Sequence, residues 1–285
     1  MNSRASARSQ LLTYSSNKHS KEQVIVNRDL IRQIVNVFAV VVTITINILA
    51  NALPINGLNT GEISDSFPVY FVPAGYVFSI WGVIYIGWIA FAIYQALPSQ
   101  RENPRFRRIG YWFALGSAAN SAWIFLWHYQ QFPLTLVMML ILLTSLIIIY
   151  LRLEIGVTPV SGAEKWAVNV PFSIYLGWIT VATIANVTDV LYDLNWNGFG
   201  IAPQTWAVVM LVIGAVLTSI VIMTRRDVGY TAVIVWAFIG IVVKQAAESS
   251  VALTAGAMTV VVIIALIAKW LVDRNNQGRL ASRTA

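Results

Sequence analysis

The chain has 285 residues, 58% of them hydrophobic and only 11% charged, with a formal net charge of +7, whereas an average soluble domain carries about 25% charged residues. So few charges cannot cover a water-soluble fold of this size, and the basic residues sit at the ends of apolar runs, which points to membrane topology rather than nucleic acid. Cysteine is absent and His19 and His128 are the only histidines, so disulfides, a thiol nucleophile and a Cys-based metal site are excluded, and a His-rich metal or haem centre is not expected.

Residues 1–33 are polar, contain several Ser and Asn, and carry Arg4, Arg8, Lys18, Lys21, Arg28 and Arg32 against Glu22 and Asp29. They read as a mobile cytoplasmic tail, with organelle targeting as the weaker alternative. Eight apolar runs follow, at about residues 34–53, 75–97, 109–129, 134–153, 166–187, 205–223, 230–247 and 251–271. Each is close to the length that spans roughly 30 Å of hydrocarbon at about 1.5 Å per residue, and none shows the short alternation of barrel strands. The expected fold is an all-α integral membrane protein with about eight transmembrane helices. Basic residues fall in alternate connections: none lies in 54–74, four (Arg101, Arg105, Arg107 and Arg108) lie in 99–108, and none lies in 130–133 or 188–204. That alternation places both termini in the cytoplasm.

Two connections stand out. Residues 54–74 are punctuated by Asn, Gly, Pro and Ser and read as a structured or mobile cap on the outer side. Residues 191–203 carry Tyr192, Trp196 and Phe199, which read first as an interfacial aromatic belt and second as a lid.

Candidate ligand-binding residues come from three spans. In the second, Trp81, Tyr85 and Trp88 recur at spacings of four and three and form a stripe on one helical face. The third offers Asn120, Trp123 and Trp127 on a common face; the fifth offers Tyr175, Trp178, Thr183 and Asn186. Indole and phenol rings pair apolar bulk with a hydrogen-bond donor and suit a flat, mostly apolar ligand; helix packing and interface anchoring are the alternative reading. Asn120 and Asn186 lie well inside spans, where each amide needs a partner, either the other amide or a ring N–H or O–H.

These residues resemble the TspO/MBR family, the tryptophan-rich sensory proteins or translocator proteins, also called peripheral-type benzodiazepine receptors. The resemblance rests on Pro73, Tyr76, Phe78, Trp81 and Tyr85 in the second span, on Asn120 and Trp123 in the third, and on Tyr175, Trp178, Ala182, Thr183 and Asn186 in the fifth. Tyr76 stands where the family usually has Trp, Pro171 is displaced from the usual place beside the fifth-helix Tyr, and Phe125 and Trp127 replace a pair of Phe. The resemblance covers about residues 34–187. It implies a five-helix bundle (34–190), leaving a three-helix extension (191–273) and a cytoplasmic tail (274–285). It also implies a pocket for porphyrins, related tetrapyrroles or other planar hydrophobic molecules, lined by Trp81, Tyr85, Asn120, Trp123, Tyr175, Trp178 and Asn186.

The seventh span carries Lys244 and Glu248, four apart and able to pair on one face, as in an ion-coupled secondary transporter or at a membrane interface. No phosphate-binding loop, H-E-x-x-H or nucleophile–base pair is present, so no enzyme activity and no cofactor are expected. The expectation is a multi-pass protein of the cell (inner) membrane that senses or carries a planar hydrophobic ligand. Its partners would be that ligand, membrane lipid and, as an option, a second copy in a homodimer, but no nucleic acid. An ion-coupled transporter and a non-catalytic membrane assembly protein are the alternatives; the absence of internal repetition argues against the transporter.

Overall fold

The computed structural model describes residues 28–53 and 55–284, with side chains through Asn276. Most of the expected N-terminal tail, residues 1–27, lies outside the described residues. The first helix, α1 (Arg28–Ala52), begins inside the segment that composition assigned to the tail. Its first turns are polar but docked. Arg32 donates to Asp29 at 2.7 Å and to the Arg101 carbonyl at 2.7 Å, and Gln33 and Gln95 each give a side-chain N–H to the other's backbone carbonyl at 2.7 and 3.1 Å. Such paired polar groups let a helix extend beyond its apolar run.

After α1 come the short α2 (Thr60–Asp65), α3 (Ile80–Ala96), α4 (Pro104–Ile109), α5 (Trp112–His128), α6 (Phe132–Arg152), a three-residue turn α7 (Gly162–Glu164), α8 (Val170–Asp193), α9 (Pro203–Arg225), α10 (Val228–Lys244) and α11 (Ser249–Thr284). Every expected apolar run falls on a helix. Six helical stretches among the described residues are long and apolar enough to cross a membrane, while α5 and α10, at 17 residues each, are shorter. The chain is a multi-pass integral membrane protein. Proline at the first turn opens α4, α6 and α9, where its missing N–H costs nothing.

The centre of the bundle is α8. In its most apolar window 67% of residues are buried, against 22–39% in the other five spans, because α3, α6 and α10 all pack on it. The last three helices are not a loose appendage. The Asp227 carboxylate caps α10 by accepting the Tyr230 N–H at 3.0 Å, and accepts the Tyr150 hydroxyl of α6 at 2.8 Å and the Ser173 hydroxyl of α8 at 2.6 Å. One side chain thus locks three helices together. Close approach sets the remaining contacts: a Cβ at Gly87 would lie 2.9 Å from the Pro171 Cβ, and one at Gly240 would lie 2.2 Å from the Val77 side chain, so α3 meets α8, and α10 meets the segment before α3, through bare backbone.

Basic residues gather at one end. Arg107 pairs with Asp29, Arg105 with Glu164 at 2.7 Å, Arg108 with Glu154 at 3.4 Å and Arg226 with Asp273 at 2.7 Å. A wider helical turn, Lys165–Asn169, lies between α7 and α8 at this end, where Arg105 also reaches the Asn169 amide oxygen at 3.2 Å.

Candidate functional site

At the opposite end, residues 55–74 fold back over the bundle. Asn59 and Glu62 form a reciprocal capping box that starts α2. The segment is tied down by the Trp127 indole N–H to the Thr60 carbonyl at 3.2 Å, the Asn56 amide to the His128 carbonyl at 3.0 Å, and the Ala74 N–H to the Gly240 carbonyl at 3.0 Å. Ile63, Phe67, Val69 and Val72 bury against Trp127, Phe132 and Val190. The expected cap is therefore a docked roof. The other aromatic connection is not: Trp196 packs on Phe199 and Trp206 at 5.2 and 5.3 Å, and no residue of 191–203 lines the space below α2.

Under the roof is a cavity of about 610 Å³. Trp81 and Tyr85 of α3 form one wall, and Trp123 and Trp127 of α5, stacked at 5.0 Å with 16° between ring planes, form another. From α8 come Trp178, Val181, Ala182, Ala185, Asn186 and Asp189, all on one helical face. Asn47 and Asn51 of α1, Asn59 just before α2, and Thr60, Ser64 and Asp65 of α2 complete the polar part. Trp178 stands edge-on to Trp81 at 6.3 Å and to Phe78 at 5.5 Å, so rings close the floor while small side chains and amides line the part nearer the roof.

Five of the seven expected residues, Trp81, Tyr85, Trp123, Trp178 and Asn186, line this one cavity. Asn120 and Tyr175 do not. Asn120 donates to the Tyr175 hydroxyl at 3.3 Å and accepts from Asn47 at 2.8 Å, and Tyr175 packs at 4.8 Å on Trp88. They brace the wall from behind. The two mid-span amides do not meet. Asn186 instead accepts the Trp123 indole N–H at 3.3 Å and donates to the Thr135 hydroxyl at 2.9 Å, the ring-partner arrangement that a buried amide permits.

The aromatic stripe of the second span forms as its spacing predicts, with Trp81–Tyr85 and Tyr85–Trp88 centroids 5.7 and 5.6 Å apart. It serves two purposes: Trp81 and Tyr85 face the cavity, while Trp88 is 2% exposed in the core. Tyr76, at the position where Trp is usual, turns away and packs on Trp236 at 5.3 Å; Phe78 reaches the cavity. A model of the family described as TSPO-like protein matches residues 33–268. The chain belongs to this TSPO-like family. The match continues beyond residue 187 through α9 and α10 and into α11, helices that the residue-by-residue resemblance left unassigned. No curated protein and no solved structure matches the chain.

Two features of this TSPO-like chain escaped the sequence reading. The expected Lys244–Glu248 pair does not form. Helix α10 ends at Lys244, the next residue leaves helical geometry at φ −101°, ψ 24°, and the four-residue spacing no longer defines a face. Lys244 instead bonds Asp65 of the roof at 2.7 Å. The second feature is Asp189, 5% exposed on the cavity wall with no hydrogen bond or ion pair from any described residue. The fifth apolar run ends at residue 187, which by composition alone places Asp189 in the connection that follows. The signal was the helical face itself, since Trp178, Ala182, Asn186 and Asp189 continue one stripe at spacings of four, four and three.

Proposed function

We propose that this TSPO-like membrane protein is a non-catalytic receptor or carrier that binds a planar, mostly apolar molecule, a tetrapyrrole or one of similar shape, in the cavity beneath α2. Family membership supports a sensing or ligand-binding role in general. The observation that carries the reading is the cavity of about 610 Å³ walled by the indoles of Trp81, Trp123, Trp127 and Trp178. Flat π-faces and few polar groups are what a planar apolar ligand requires. The proposed topology has all eight long helices crossing the cell membrane, α2 on the outer side, and both termini in the cytoplasm beside the arginine-rich end. At about 1.5 Å per residue, α5 and α10 reach about 25 Å, a shortfall that local thinning accommodates. Ion coupling through Lys244 and Glu248 has less support, since Lys244 is engaged with the roof.

The test is a titration of the purified protein in nanodiscs with protoporphyrin and with its uncharged dimethyl ester, followed by tryptophan quenching. We expect saturable quenching, weakened about fivefold or more by Trp123→Ala and by Trp178→Ala, each of which removes a ring worth about 1–3 kcal/mol. Absence of saturable quenching by both compounds overturns the reading.

A further inference from the structure

Polar groups that a cavity leaves unpaired describe the ligand it fits. Most polar groups around this cavity are engaged with one another: Asn47 bonds Asn120 and the Thr43 carbonyl, Asn51 bonds the Asn47 carbonyl, and Asn186 is held by Trp123 and Thr135. Asp65 is paired with Lys244 at the rim. The Trp178 indole N–H, also on this wall, has no partner among the described residues and is free to meet an acceptor; Asp189 is the lining carboxyl group without a partner. It lies on the cavity face of α8, is 5% exposed, and receives no donor from any described residue. A carboxyl group enclosed this closely, with no donor from the described residues, has its charged form disfavoured until a partner arrives in the cavity.

The sign of the lining points the same way. Two carboxylates, Asp65 and Asp189, border the cavity, and no Lys, Arg or His is among its lining residues. An anionic ligand would find no cationic partner there, whereas a cation would hold the Asp189 carboxyl in its ionised form and pair with it. The low-dielectric walls of indole and alkyl groups would sharpen that attraction.

We propose that Asp189 is the charge-recognition residue of the cavity and that the cavity selects planar apolar molecules bearing a protonated nitrogen over anionic ones of the same shape. This deepens the proposed function and rests on it. The ammonium would donate to the Asp189 carboxylate near the roof while the flat body lies among Trp81, Trp123 and Trp178. The Asp65–Lys244 pair at the rim lies outside this contact.

The experiment holds the flat body constant and varies its charge. Three forms of one macrocycle are titrated into the protein in zwitterionic nanodiscs with tryptophan quenching as the readout: protoporphyrin as the free acid, its dimethyl ester, and its amide with ethylenediamine, which is cationic. The expected result is that the cationic amide binds about tenfold or more tighter than the free acid, as a buried charge-assisted bond implies. Asp189→Asn, which keeps shape and hydrogen bonding but not charge, should abolish that preference while leaving the ester's affinity within about twofold. Glu154→Gln, which removes a carboxylate at the opposite end of the bundle, should leave the preference in place. Binding of all three forms without charge order, tighter binding of the free acid, or a preference that survives Asp189→Asn overturns this proposal and leaves the planar-ligand reading standing. Failure of all three to quench saturably overturns both.

Discussion

Phe67→Ala should release the roof, and Lys244→Met should not. The Phe67 ring sits among Phe132 at 4.9 Å, Trp127 at 5.9 Å and Tyr192 at 6.0 Å, in near-perpendicular arrangement with the first and last, and the residue is 8% exposed. Truncating a buried Phe to Ala costs about 3–5 kcal/mol in a rigid core. This cluster lies at one end of the bundle, where neighbours can partly collapse into the gap, so about 3 kcal/mol is the expected loss, or roughly a 100-fold rise in the open fraction. The Lys244–Asp65 pair is shorter, at 2.7 Å, but its side chains are 36% and 60% exposed. Exposed pairs contribute at most about 1 kcal/mol, which is about fivefold or less in the same equilibrium. The assay is amide hydrogen exchange across 60–66 in nanodiscs, where the exchange rate follows the open fraction when reclosure is fast. If Lys244→Met accelerates exchange there as much as Phe67→Ala, apolar burial is not what holds the roof and the reasoning fails.

Two further substitutions test the packing and the division between wall and brace. Gly240→Ala places a Cβ 2.2 Å from a Val77 methyl and 3.0 Å from the Pro73 Cβ, and should destabilise by about 1–3 kcal/mol. Gly82→Ala on α3 meets nothing within 4 Å and should instead stabilise by about 0.5–1 kcal/mol; thermal melting of the two variants should move in opposite directions. Asn120→Leu strips a partner from both Asn47 and Tyr175 and should cost about 1–2 kcal/mol of stability. Because Asn120 does not line the cavity, the ester's affinity should stay within about twofold of the parent by the same quenching titration, a smaller change than Trp178→Ala produces.

The helices were legible because a membrane protein writes them as uninterrupted apolar runs, and lipid permits few other backbone conformations. Their ends were less so. Arg28 to Gln33 look like tail by composition yet are helical, because their partners, Arg101, Arg107 and Gln95, come from 62 to 78 residues away in sequence. Nor does periodicity rank helices by centrality. The aromatic stripe makes the second span conspicuous, but α8 is the most buried of the long apolar helices. Its burial follows from which helices pack on it, and no single-span pattern records that.

The candidate site divides along the same physical line. Aromatic residues and mid-span amides announce themselves, and five of the seven residues that the family resemblance implies do line the cavity. Aromatic residues, however, mark walls and packing equally, which is why Tyr175 and Trp88 prove to be core. What makes a cavity is missing volume, and here Ala182 and Ala185 supply it on the face where Trp178 below and Asn186 and Asp189 above are larger. A wall of rings against a helix with two alanines at the same level cannot close, so the void lies between the floor and the roof. Asp189 lies at the roof end of that void. A residue that only filled the helix end would find its donor in the protein, as Asp227 does from Tyr150, Ser173 and the α10 backbone. Of these two buried aspartates, Asp227 borders helices and is satisfied by them, while Asp189 borders the space, and on the reading proposed here its donor is the molecule that fills it.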